Sequence, residues 1–292
     1  MRYLYPVRGP RETWINKLVG TWAVLTGWLL LGGILSAISI VTVFTDSENM
    51  IHLYSSSFLN FGVLLLSMYL VLKWFGRPLL SLITFRAKFD WRQYFFGFGL
   101  WISILGLGTY LSYTVTPEDF TFTFELEPFL LALVLLIIWL PIQTGAEELL
   151  FRGFIPQMFS TVVKNPYILL VISSLLFSAP HLANPEAQSG ITTAFFAYAI
   201  IGATFGVGSF VTGSLEVGMG AHLANNFFGL LLVGYANSAI PGNAIWTLPP
   251  ANLEQSLGAG IFLLAIWYGL VRWLWPKVRK SADALEPDAN PS

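Results

Sequence analysis

The chain has no cysteine, few charges and only three histidines. Without cysteine, disulfides, thiolate metal ligands and a cysteine nucleophile are all excluded. Charged residues make up 11% of the 292 positions, against ~25% in soluble domains, and 55% are hydrophobic, which makes this an integral membrane protein in a lipid bilayer. The net charge of −1 says nothing about nucleic acid, but no basic patch of the kind phosphate binding needs is present, so no nucleic-acid partner is expected. Also missing are His-Glu-x-x-His, Gly-x-Ser-Gly, Gly-x-Gly-Asp and any P-loop pattern. Other designs for intramembrane proteolysis, with a serine or an aspartate site of those patterns, and nucleotide sites of the P-loop kind are thereby set aside.

What remains is mostly uncharged runs. Eight of them lie between residues 18 and 271, and a membrane helix needs ~20 apolar residues, so the expected fold is all-α with about eight transmembrane helices. Leu18 to Thr45 is too long for a signal-peptide core and reads as an uncleaved span. The run 217–253 is too long for one helix, and its Asn, Pro and Gly residues place a loop after about Tyr235. With an inside N-terminus, all 15 Lys and Arg fall in inside segments, while the outside loops carry only acids, Glu186 among them. Both termini are therefore expected in the cytoplasm, in the cell (inner) membrane. Residues 1–280 read as one transmembrane domain and 281–292 as a disordered tail. Segment 73–92, basic and aromatic, reads as an ordinary inside loop with interfacial aromatics.

One stretch breaks the apolar pattern: Gly145-Ala-Glu-Glu-Leu-Leu-Phe-Arg-Gly153, directly after the uncharged run Phe129–Thr144. Intramembrane charges cost at least a few kcal/mol each on insertion scales, which makes them functional by default. On a helix Glu148 and Arg152 stand at i and i+4, acid first, the favoured order for an ion pair. Glu147 projects about 100° away and meets Phe151 four residues on, so it is left without a counter-charge. His181 and His222 lie in two further runs, with Phe177 and Asn226 each four residues from one of them. His52, at the outer end of the second run, reads as an interfacial residue without a function. A turn at Lys164-Asn165-Pro166 puts Glu147 and His181 at equal distances from it, level and facing each other across a helical hairpin. The site is thus expected in a polar cavity of the inner membrane half, open to the cytoplasm.

A glutamate beside a neutral histidine holds and deprotonates water; a second histidine and an asparagine amide donate to an oxyanion. Amide hydrolysis fits this set. Glu147, His181 and His222 are also a ligand set for zinc with one open position, and the residues alone leave both readings open. Zinc-bound imidazoles need acceptors for their outer nitrogens. Spacing offers only Phe177, whose ring cannot accept, and Asn226, since Glu148 belongs to Arg152, which favours water activation by Glu147 and His181. Two other classes keep the same residues: a proton-coupled carrier or channel, and a non-catalytic immunity or binding protein.

Glu147-Glu148-x-x-x-Arg152, Phe177-x-x-x-His181 and His222-x-x-x-Asn226 together, in this order, resemble the three motifs of the CPBP family, which includes type II CAAX prenyl endopeptidases and bacterial Abi proteins. The resemblance covers roughly residues 145–230. It implies an eight-helix membrane endopeptidase acting on a membrane-anchored protein or peptide. Carried over, Glu147 and His181 activate water, His222 and Asn226 stabilise the oxyanion, and Glu148 and Arg152 orient the site. The prenyl group of the eukaryotic substrates does not carry over with the motifs.

Overall fold

The structure is a computed structural model that describes residues 2–6, 8–42, 50–238 and 243–285. Its ten α-helices among the described residues join into eight rods, because π-turns run several pieces together. α1 (Trp14–Thr26) continues through the π-turn Gly27–Gly32 into α2 (Gly33–Thr42), followed by α3 (Met50–Phe75) and α4 (Trp91–Val115). α5 (Leu126–Glu148) passes through the π-turn Leu149–Phe154 into α6 (Ile155–Phe159). Then come α7 (Pro166–His181), α8 (Ile191–Thr212), α9 (Glu216–Phe227) with a π-turn to Leu232, and α10 (Leu253–Leu285). Among the described residues five helical stretches are long and apolar enough to cross a bilayer, and Pro166–His181 is a shorter apolar helix. The protein is an all-α polytopic membrane protein.

Local chemistry sets the helix ends. Asn165 accepts from the backbone N–H of Tyr167 at 2.9 Å and Pro166 supplies the first helical residue, so α7 starts where the sequence placed the turn. Asp90 caps α4 through Arg92 N–H at 3.0 Å. Gly213, with φ 83°, takes the left-handed conformation that closes α8. The seventh rod stops at Leu232, slightly before the expected loop, because Val233–Tyr235 forms strand β2. It pairs parallel with β3 (Trp246–Leu248), which pairs antiparallel with β1 (Thr121–Phe122), a small sheet that charge patterning does not reveal. Residues 281–285, read as tail, continue α10; 286–292 lie outside the described residues, as does the side chain of His52.

Two packing features position the site. α4 and α9 lie backbone on backbone: a Cβ at Gly97 would meet the Val217 carbonyl, and one at Gly220 the Tyr94 carbonyl. In the span of α8 half of the residues are buried, against 11% in that of α10, so α8 is central and α10 lies at the periphery. α7 packs on α8 and on the π-turn Leu149–Phe154, whereas α9 packs on α5. Segment 73–92 is not a simple loop: Arg77, Leu82 and Ile83 are buried, while Trp74, Phe85 and Trp91 are exposed.

Candidate active site

Glu147 and Glu148 end α5, and Arg152 lies in the π-turn that follows. Such one-turn π segments are frequent at functional sites. All three side chains are buried, Glu148 completely. Arg152 Nη1 lies 2.9 Å from Glu148 Oε1, the i,i+4 pair read from the sequence, as a charge contact rather than an aligned hydrogen bond. Its Nη2 donates to the Gly202 carbonyl at 2.8 Å, and its guanidinium stacks 4.2 Å from the Phe177 ring centre. A Cβ at position 202 would come within 3.0 Å of that guanidinium, so this glycine makes room for the arginine.

His222 enters from α9 and joins both acids. Its Nδ1 is 2.8 Å from Glu148 Oε1 and its Nε2 is 3.5 Å from Glu147 Oε2. Its ring stacks on Phe205, 4.4 Å between centres at 12°. Two expectations are corrected here. Glu148 does not serve Arg152 alone, since the same oxygen also meets His222. The partner of His222 is Glu148 and not Asn226, because packing of α9 on α5 outranks spacing along one helix.

His181 ends α7. Its Nδ1 donates to the backbone carbonyl of Phe177 at 2.8 Å, which fixes the proton on Nδ1 and leaves a lone pair on Nε2. The rings of Phe177 and Tyr198 flank it, at 4.5 and 4.6 Å. Phe151 and Phe177 touch edge-on at 5.4 Å; Glu147 is one turn before the first and His181 one turn past the second, so the two come level as the hairpin geometry requires. They do not bond each other, however. α7 leans on the π-turn and α9 fills the space beside Glu147, so the imidazole nearest that carboxylate is His222.

Glu147 Oε1 accepts from Gln143 Nε2 at 2.6 Å, while its Oε2 is buried with no hydrogen bond from the protein. Gln143 in turn accepts from Asn226 Nδ2 at 3.0 Å. All six residues singled out by the motifs thus belong to one cluster. Sequence reading missed Gln143, although it stands four residues before Glu147 on the same helical face; being uncharged, it vanished inside an uncharged run. It also missed Tyr198, whose hydroxyl donates to Glu186 at 2.6 Å. Glu186, assigned to an outside loop, is folded back against α8 through that bond and through Asn184.

The zinc alternative meets this geometry unevenly. The outer imidazole nitrogens do have acceptors, the Phe177 carbonyl and the Glu148 carboxylate, so the shortage of acceptors inferred from spacing is overturned. Yet among the described residues no three His, Asp or Glu side chains are placed to hold a metal ion. Glu147, His181 and His222 therefore do not fit a zinc ion as arranged.

Residues 127–228 match the family described as Rce1-like, type II CAAX prenyl endopeptidase Rce1-like, a range that contains all six motif residues. A protein of Bacillus subtilis (strain 168), described as uncharacterized protein YyaK, is 30% identical over 293 residues, covering 91% of this chain and 95% of that protein. No solved structure matches the chain.

Proposed function

This chain belongs to the Rce1-like family of type II CAAX prenyl endopeptidases, and on that premise we propose that it hydrolyses a peptide bond of a membrane-tethered protein or peptide at the Glu147 cluster. The observation that carries the reading is the bare, buried Oε2 of Glu147, 3.5 Å from His222, with His181 Nε2 on the neighbouring α7 as a second acceptor. Both free atoms are acceptors. A water between them gives one O–H to Glu147 and the other to His181, which leaves its lone pair turned outward for attack.

In the first step the water oxygen bonds to the scissile carbonyl carbon, the carbonyl π pair moves onto oxygen, and the water proton passes to Glu147 Oε2. His222 and Asn226 donate to the oxyanion. Asn226 keeps one amide N–H for this, since only the other is given to Gln143. His222 donates outward only with both ring nitrogens protonated, because Nδ1–H is held by Glu148. In that form the cluster sets two cations, Arg152 and His222, against two carboxylates. In the second step the C–N bond breaks, and Glu147 returns its proton to the leaving amine. Glu148 and Arg152 act by orienting His222. The substrate approaches from the cytoplasmic side of the inner membrane in this reading.

The test is membrane proteomics of cells carrying the wild type or Glu147→Ala. Uncleaved membrane-tethered precursors should accumulate only with the variant, and a purified precursor should be cut by wild type in proteoliposomes. Identical proteomes, together with ion-gradient-driven flux lost in the variant, would instead identify a carrier.

A further inference from the structure

The hydrogen bond that holds Glu147 is the last of a chain of four. Trp101 Nε1 donates to Asn225 Oδ1 at 3.3 Å, and Asn225 Nδ2 to Asn226 Oδ1 at 3.2 Å. Asn226 Nδ2 then donates to Gln143 Oε1 at 3.0 Å and Gln143 Nε2 to Glu147 Oε1 at 2.6 Å. The five side chains come from α4, α9 and α5. Amide groups can be turned either way, but the ends of this chain cannot. An indole N–H only donates and a carboxylate only accepts, so all three amides are forced into one sense, pointing hydrogens toward Glu147.

We propose that Gln143, Asn225 and Trp101 are positioning residues that assign unequal work to the two oxygens of Glu147. The relay parks Oε1 as a permanent acceptor. A proton taken by Glu147 must then sit on Oε2, the oxygen that faces His222 at 3.5 Å and has no partner from the protein. Charge-assisted bonds polarise their neighbours, so each member strengthens the next. Asn226 thereby has a second duty, tying the geometry of the base to that of the oxyanion site. Trp101 anchors the far end because it is packed edge-on against the buried Trp267, 5.3 Å between centres.

This inference rests on the hydrolytic reading, so its test has one arm that needs no substrate. The infrared carboxylate bands of Glu147 are obtained as the difference between the protein and Glu147→Gln. One bonded and one bare oxygen make the two C–O bonds unequal, and Gln143→Met should bring the bands toward those of a symmetric carboxylate. Gln143→Leu serves if the methionine variant does not fold. Unchanged bands overturn the proposal whatever the activity.

The second arm measures, in proteoliposomes, cleavage of a membrane-tethered precursor that accumulates with Glu147→Ala, carrying a quenched fluorophore pair across its cut site. Gln143→Met should lower kcat by roughly ten- to a hundredfold, the scale of one hydrogen bond to a charged group, with KM unchanged. The other groups facing Glu147, which are Glu148 and Arg152 on its own rod, His222 on α9 and His181 on α7, stay in place throughout. Asn225→Leu should cost less than Gln143→Met, and Trp101→Phe least. Losses that ignore this order and follow thermal stability would show a merely structural network and sink the idea. A band shift in a protein that cuts no peptide would keep the relay and reject the hydrolase.

Discussion

Two buried clusters of opposite sign economy lie along the rod of α5 and α6. At the α6 end, Glu12 is one acid held by two cations, Lys17 Nζ and Arg77 Nη1, each at 3.1 Å, and its second oxygen takes the Gly9 N–H at 3.0 Å. Gln157 completes this collar: its side-chain oxygen accepts from Arg77, and its amide donates to the carbonyls of Tyr3 and Ser81 at 2.7 and 2.8 Å. Burial lowers the pKa of Arg77 from its ordinary value, and Glu12 draws it back up. Ten residues earlier the arrangement differs: Arg152 pairs with Glu148 alone, His222 touches both acids, and each acid keeps an oxygen with no hydrogen bond from the protein. A saturated buried network fixes structure, because removing one member strands the others. A network that leaves acceptors bare in a buried place carries a desolvation cost, and at Glu147 the bare oxygen is the one the proposed reaction uses.

The contrast is broken most sharply by neutralising one acid in each cluster. Glu147→Gln should cut hydrolysis by ~10²–10⁴-fold, the worth of a general base, and leave the melting temperature nearly unchanged. Glu12→Ala should do the reverse, costing ~3–5 kcal/mol of stability by stranding Arg77 and Lys17, with activity per folded molecule retained. Melting curves in detergent beside turnover in proteoliposomes read both; an inactive but equally stable Glu12→Ala would erase the distinction. A middle-sized effect is expected from Arg152. Arg152→Ala leaves Glu148 with His222 alone and should lower both activity and stability, whereas Glu148→Gln combined with Arg152→Gln should fold better than Arg152→Ala. Equal stability of the three proteins would count against the pairing. The smallest effect sharpens the chemistry. Exhaustive dialysis against a strong chelator, with metal content measured in parallel, should leave turnover unchanged; full loss restored by stoichiometric zinc would replace water activation by a metal centre.

Much of the site was legible because its chemistry is local. Glu148 and Arg152 announce their pair at i,i+4, and Asn165-Pro166 announces the start of α7. What stayed hidden depends on rods meeting in space. His222 finds Glu148 across 74 residues, Asn226 finds Gln143 across 83, and no periodicity along one helix encodes either. Splitting the chain at its charges also hid the uncharged members, Gln143 and Trp101, which work through amide and indole hydrogens. The acceptor for His181 was invisible for another reason: it is a main-chain carbonyl, which every residue carries. The collar was missed because its charges matched the positive-inside pattern so well that Arg77 and Lys17 were read as topology alone.

The bond from Gln157 to the Tyr3 carbonyl spans 154 positions, and the one from Lys17 to the Gln157 carbonyl spans 140. At synthesis rates of ~5–20 residues per second, Tyr3 waits roughly 8–30 s for its partner to leave the ribosome. Glu12 and Arg77, 65 positions apart, meet much earlier. In order of synthesis the collar's ion pair becomes available first and its amide latch later. During the interval Gln157's place is empty, Lys17 has only Glu12, and the first helix is tethered by charge but not yet seated. Slowing translation between residues 77 and 157 would lengthen that exposed stage, and quality-control proteases would read the delay before any substrate does.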